Sequence, residues 1–117
     1  MKTHNLIIKT KTKNYSIIIG SNIIKYISKI LLSQKIYFKK CLIVSDKHIP
    51  IKYKSNLIDN LKIDCKIIYN YNASEVNKNY KNINKIQNLL FKNNFNRQDC
   101  VISLGGGITG DVAGFAA

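Results

Sequence analysis

Residues 100–117 read CVISLGGGITGDVAGFAA. A short apolar run, Cys100 to Leu104, meets three glycines, and small apolar residues follow a Gly-Asp pair. The run has the length of a strand, and GDVAGFAA reads as a helix starting near Asp111. Gly105, Gly107 and Gly110 stand at G-x-G-x-x-G spacing between the two. Glycines let the backbone turn tightly and approach a phosphate closely, and the free N–H groups of a helix N-terminus then face the anion. A tight turn without a ligand is the simpler reading, but three consecutive glycines carry an entropy cost that a plain turn does not require.

Working back from this loop, the same strand-then-helix rhythm recurs. CLIVSD (41–46) is a continuous apolar run ending in an acid, the form of a buried parallel strand. CKIIY (65–69) is another. Between them, Tyr53, Leu57, Ile58 and Leu61 have helical spacing, with Pro50 suited to a first turn. After CKIIY, the segment 74–94 places Val76, Tyr80, Ile83, Ile86 and Leu90 on one helical face. Ahead of CLIVSD, Ile23, Ile24, Ile27, Ile30 and Leu31 share a face that Ser21 or Asn22 can cap. The chain opens with NLIIKT (5–10) and YSIII (15–19), β-branched runs that read as a hairpin around KTKN. The order after the hairpin is α-β-α-β-α-β-α, which implies an α/β fold: a Rossmann-like parallel sheet flanked by helices, with an N-terminal strand pair. No repeat or Pro/Gly/Ser-rich linker divides it, so one continuous domain is expected.

Composition fits a folded protein: 45% of residues are hydrophobic, and no apolar run approaches the roughly 20 residues of a membrane span. The N-terminus lacks the apolar core of a secretory signal, so a cytoplasmic location is expected. Cys41, Cys65 and Cys100 form no Cys-x-x-Cys pair and read as small buried residues of a reduced protein. His4 and His48 show no zinc-ligand spacing with them. The net charge of +13 raises the idea of a nucleic-acid or membrane-surface binder. The lysines are dispersed, however, and Lys, Asn and Ile dominate the whole chain, as AT-rich codons would impose. No aromatic-and-basic stripe accompanies them, so neither a nucleic-acid nor a membrane partner is expected.

In parallel sheets of this kind, ligands bind outside the carboxyl ends of the strands. Three polar groups fall there: Asp46, the 72–78 segment, and the glycine loop. Asp46 can accept from ribose hydroxyls or cap the following helix, and the pattern leaves both open. Glu75, the only glutamate, stands three residues before Lys78, so a helical first turn would put both on one face. Spacing alone favours a solvated surface pair. The alternative is a cofactor clamp, with Glu75 accepting from hydroxyls or an amide and Lys78 facing a phosphate.

The C-terminal stretch resembles the glycine signature of the 3-dehydroquinate synthase family, G-G-G-x-x-G-D-x-x-G-F-x-A. Gly105, Gly106, Gly107, Gly110, Asp111, Gly114, Phe115 and Ala117 match it. ASEVNK (73–78) is similar to the family's D-G-E-x-x-K, with Glu75 and Lys78 matching, Ala73 and Ser74 replacing Asp and Gly, and Asn72 standing where proline is common. The resemblance favours the clamp over the surface pair. It implies NAD as cofactor, held by Asp46, His48, Glu75, Lys78, Gly105, Gly106, Gly107, Ile108, Thr109, Gly110 and Asp111. It further implies a sugar-acid phosphate substrate, a phosphate-eliminating lyase reaction, a frequent homodimer, and a divalent metal, zinc or cobalt. The family holds that metal with a glutamate and two histidines of a later helical domain, and this chain is expected not to supply them. The expectation is an amino-terminal NAD-binding domain, incomplete at its last helix, with no catalytic residue of its own and no activity alone. Other sugar-phosphate cyclases, iron-containing alcohol dehydrogenase relatives, a basic nucleic-acid binder and a decayed gene product are the alternatives.

Overall fold

The computed structural model describes residues 3–117. Strands β1 (Thr3–Lys9) and β2 (Asn14–Gly20) pair antiparallel as the expected hairpin, with Leu6 opposite Ile17. Thr10 closes its turn: the hydroxyl donates to the Lys13 carbonyl at 2.6 Å and accepts the Lys13 N–H at 3.0 Å. A 3-10 turn over Ile23–Tyr26 leads into α1 (Ile27–Ser33). The expected cap is not made. Asn22 sits in the left-handed region at φ 55° and its side chain makes no capping bond. The tighter 3-10 start takes the place of a capped α-turn.

The remaining elements alternate: β3 (Lys40–Asp46), α2 (Ile51–Asn60), β4 (Cys65–Tyr71), α3 (Tyr80–Lys92), β5 (Cys100–Leu104) and α4 (Gly107–Ala116). The three strands form a parallel sheet in the order β4-β3-β5. β3 is central, and Cys41 through Ser45 are all buried. Its alternate residues face two cores, as the pleat requires. Leu42 and Val44 pack with Tyr71 of β4, Ile83 and Ile86 of α3, and Val112 and Ala113 of α4. Cys41 and Ile43 pack with Leu57 and Leu61, against which Ile24, Ile27 and Leu31 lie. The cysteines are free, and burial first, with Cys100 adding, pushes the Cys41 thiol up to about 12. Cys41 is therefore a packing residue and not a nucleophile.

Two lysines at strand starts finish helices. Lys66 Nζ donates to the carbonyls of Ile58 and Leu61 at the end of α2, and Lys40 Nζ to those of Asn93 and Asn94 beyond α3. A cation there satisfies orphan carbonyls and complements the helix dipole. Part of the lysine excess thus has a structural task. Among the described residues, no helix is long and apolar enough to cross a membrane.

Three expected boundaries move. Pro50 is the residue before α2, not within it. α3 starts at Tyr80, not near Ser74, so Val76 is 83% exposed and outside the helical face. α4 starts at Gly107, four residues before Asp111. The reason is the same for the last two. Ser, Asn and Gly are poor interior helix formers but favourable at helix starts, so tertiary contacts place the boundary.

Candidate functional site

The carboxyl ends of β3, β4 and β5 converge on the N-terminus of α4. β5 ends at Leu104, Gly105 and Gly106 make the turn, and Gly107 opens the helix. The Gly110 N–H makes the first helical bond, to the Gly106 carbonyl at 3.1 Å. The N–H groups of Gly107, Ile108 and Thr109 precede that bond and have no intrahelical acceptor. Gly106, in the capping position, has no side chain to supply one. The first turn of α4 is thus a set of donors at the positive end of a helix dipole.

The glycines serve different purposes. Gly105 has φ +154°, and a Cβ there would lie 2.8 Å from Thr109 Oγ1 and 2.9 Å from Asp46 Cβ. It is required by the protein's own packing, and it brings the acid of β3 against the start of α4. A Cβ on Gly106, Gly107 or Gly110 would meet nothing within 4 Å. Internal packing therefore gives no reason for these three to lack side chains, whereas close approach of a ligand to the backbone does.

Ile108 packs partly buried against the α3/α4 core, and Thr109 is fully buried, so the polar groups they can offer a ligand are their backbone N–H groups. The Thr109 hydroxyl has no hydrogen-bond partner among the described residues. A buried polar atom left unpaired is uncommon and concentrates where structure is held for function.

Asp46 does not cap α2; that place belongs to Pro50. Its Oδ1 instead accepts the His48 N–H at 2.9 Å and lies 2.8 Å from His48 Nδ1. Desolvation pushes the carboxyl up, but hydrogen bonds from the His48 backbone and ring, the attraction of that ring, and the Ala73 N–H outweigh it. The net direction is below the usual carboxylate value. A lowered pKa contributes stability that is present above the ordinary value of 3.8 and is lost as pH falls through the lowered one. Removing the ring by His48→Ala should move the Asp46 titration upward, as followed by carboxyl-carbon NMR. An unmoved titration would show that the ring does not hold the carboxylate.

Glu75 and Lys78 do not share a helical face. Residues 74–78 form tight turns, with Asn77 N–H on the Ser74 carbonyl at 3.1 Å and Lys78 N–H on the Glu75 carbonyl at 3.3 Å. Side chains of Ser74 and Asn77 bond the local backbone and displace the helix. Asn79 then caps α3, its Oδ1 accepting the Asn82 N–H at 3.1 Å. The surface pair of Glu75 with Lys78 is not formed either. Lys78 Nζ pairs with Asp111 Oδ2 at 3.0 Å, joining the β4 loop to the first turns of α4. The hydrogen bond and charge of Asp111, then the charge of Glu75, raise the Lys78 pKa. Glu75 itself is exposed and stands beside this pair.

The structure thus joins Asp46 to His48 and to the glycine turn, and Lys78 to Asp111. Sequence reasoning missed Tyr71. It is 1% exposed, and its phenol donates to the Asn77 carbonyl at 2.6 Å. No periodicity marks it, because the expected strand stops at Tyr69. Among the described residues, no group of three His, Cys, Asp or Glu side chains could hold a metal ion.

Residues 68–117 match the family model described as the N-terminal part of 3-dehydroquinate synthase. The 3-dehydroquinate synthase of Pelagibacter ubique (strain HTCC1062) is 49% identical over 110 residues, covering 94% of this chain and 30% of that protein. The enzyme of that name from Prochlorococcus marinus subsp. pastoris is 35% identical over 100% of this chain and 33% of its own length. Among solved structures, 2-deoxy-scyllo-inosose synthase superposes with a TM-score of 0.84 at 20% identity, over 97% of this chain and 32% of that one. A second structure of that enzyme, in complex with carbaglucose-6-phosphate, NAD+ and Co2+, matches with the same score. The chain spans about a third of the length of the curated relatives it matches. In its glycine turn, its Glu75–Lys78 loop and its sequence from end to end, the chain resembles the amino-terminal third of 3-dehydroquinate synthases.

Proposed function

We propose that residues 1–117 are the amino-terminal NAD-binding part of a 3-dehydroquinate synthase, a carbon–oxygen lyase converting 3-deoxy-D-arabino-heptulosonate 7-phosphate to 3-dehydroquinate. The observation that carries this is the first turn of α4. It offers unpaired N–H donors beside three glycines whose side-chain positions are open. The pyrophosphate binds the N–H groups of Gly107, Ile108 and Thr109, with Gly105 and Gly106 shaping the approach. Asp46, oriented by His48, accepts from the adenosine ribose. Glu75 accepts from hydroxyl or amide groups, and Lys78 and Asp111 line the path between the two loops. Bound there, NAD would supply a reversible hydride acceptor for the carbon that bears a ring hydroxyl of the substrate. The residues of this chain bind and orient the nucleotide, and none is assigned a proton transfer. Metal and substrate phosphate are held, in this reading, by a glutamate, two histidines and cationic residues of a helical domain outside these 117 residues. The length of the relatives supports that division.

Titrating the labelled chain with NAD should show weak binding, poorer than micromolar. At millimolar nucleotide, amide shifts should be confined to residues 46–48, 73–78 and 105–111. Shifts centred elsewhere, or none, would overturn the site. The chain alone, given substrate, NAD and zinc, should form no dehydroquinate; its formation would overturn the division of labour.

A further inference from the structure

Tyr71 stands where the two loops around the site meet. It is the register partner of Asp46 at the end of the parallel pair β3–β4. Its carbonyl accepts the Lys47 N–H at 2.9 Å, which ties down the turn carrying Asp46 and His48. Its phenol reaches the other way, to the Asn77 carbonyl at 2.6 Å. That carbonyl also receives Asn82 Nδ2 at 2.9 Å, from the first turn of α3. The next residue is Lys78, whose ammonium meets Asp111.

The 72–79 segment, NASEVNKN, has no glycine or proline to dictate its shape. Hydrogen bonds must do so. A phenol buried this deeply needs a partner, and the partner it has is the carbonyl that fixes where Lys78 begins. The ring packs in the same core as Leu42, Val44, Ile86 and Val112, so the anchor is tied to the rigid sheet.

We propose that Tyr71 is a positioning residue: its phenol, bonded to the Asn77 carbonyl, sets the 72–79 loop so that Lys78 spans to Asp111 beside the glycine turn. The importance of that span for the nucleotide rests on the function proposed above; the positioning itself does not.

Tyr71→Phe keeps the ring and removes the bond. In the ligand-free protein, the Lys78 side-chain titration followed by NMR should fall toward the ordinary lysine value. Hydrogen exchange at the Asn77 and Lys78 amides should quicken about five- to tenfold, the effect of losing one hydrogen bond. Leu61→Ala, a core truncation in the opposite cluster, should destabilise the fold while leaving the Lys78 titration in place. A Tyr71→Phe protein with Lys78 titrating as in wild type would overturn the proposal. Should that variant fail to fold, the wild-type protein decides. A slowly exchanging Tyr71 hydroxyl proton with cross-peaks to Asn77 and Lys78 is expected, and a freely exchanging one overturns the assignment. No readout here uses nucleotide, so failure of this proposal and failure of the nucleotide site are separable.

Discussion

Gly105→Ala should destabilise the protein by about 2–5 kcal/mol, a large part of the 5–15 kcal/mol typical of a domain. Two costs combine. A φ of +154° is a conformation that alanine rarely adopts. The added methyl would also press on Thr109 Oγ1 and Asp46 Cβ at under 3 Å, and neither is the free end of a flexible side chain. Thr109 is fixed in the first turn of α4, and Asp46 is held by its bonds to His48. Gly110→Ala is the informative contrast. Its methyl meets nothing and its site is helical, so it should stabilise by about 1 kcal/mol. Under the nucleotide reading, it should at the same time weaken binding, because the methyl occupies the approach to the backbone. Urea unfolding of both variants checks the pair. A Gly105→Ala protein as stable as wild type would show that the turn does not lock β3 to α4.

Leu42→Ala should cost about 3–5 kcal/mol. Leu42 is fully buried at the centre of β3, with strands on both sides and α3 and α4 over its face. Truncation leaves a cavity among Tyr71, Ile86 and Val112 that a strand clamped by two neighbours closes poorly. Leu32→Ala, at a position 60% exposed, should change stability by less than about 0.5 kcal/mol. The midpoints of urea unfolding measure both. A similar loss at the two positions would mean that the sheet core is not the main source of stability.

Much of the fold was legible because each strand has a period or a length of its own. CLIVSD is apolar on both faces, which only a central strand requires, and β3 is that strand. Ile83 and Ile86 recur at helical spacing, and both are buried. The boundaries were less legible. Residues 74–79 carry the spacing of a helix, but Ser74, Asn77 and Asn79 have side chains that bond their own backbone. Such residues keep a local alternative to the helix, and the contact of Asn77 with Tyr71 selects it. Gly107 could not announce a helix, since glycine is among the weakest helix formers. Asp46 was poised between two roles, and the position of Pro50 removed one of them.

The sequence by itself determined the element order, the parallel sheet, the buried run that became β3, and a glycine motif specific enough to point to one family. Those are local properties, written in period, length and spacing. Tertiary structure decided which polar groups meet. Lys78 reaches Asp111 and not Glu75, Asp46 lies against Gly105 and Thr109, and Tyr71 anchors a loop that no pattern tied to it. These contacts depend on the register of β4 with β3 and on where α4 begins. Both are set by burial across the whole sheet, which spacing within one segment does not encode.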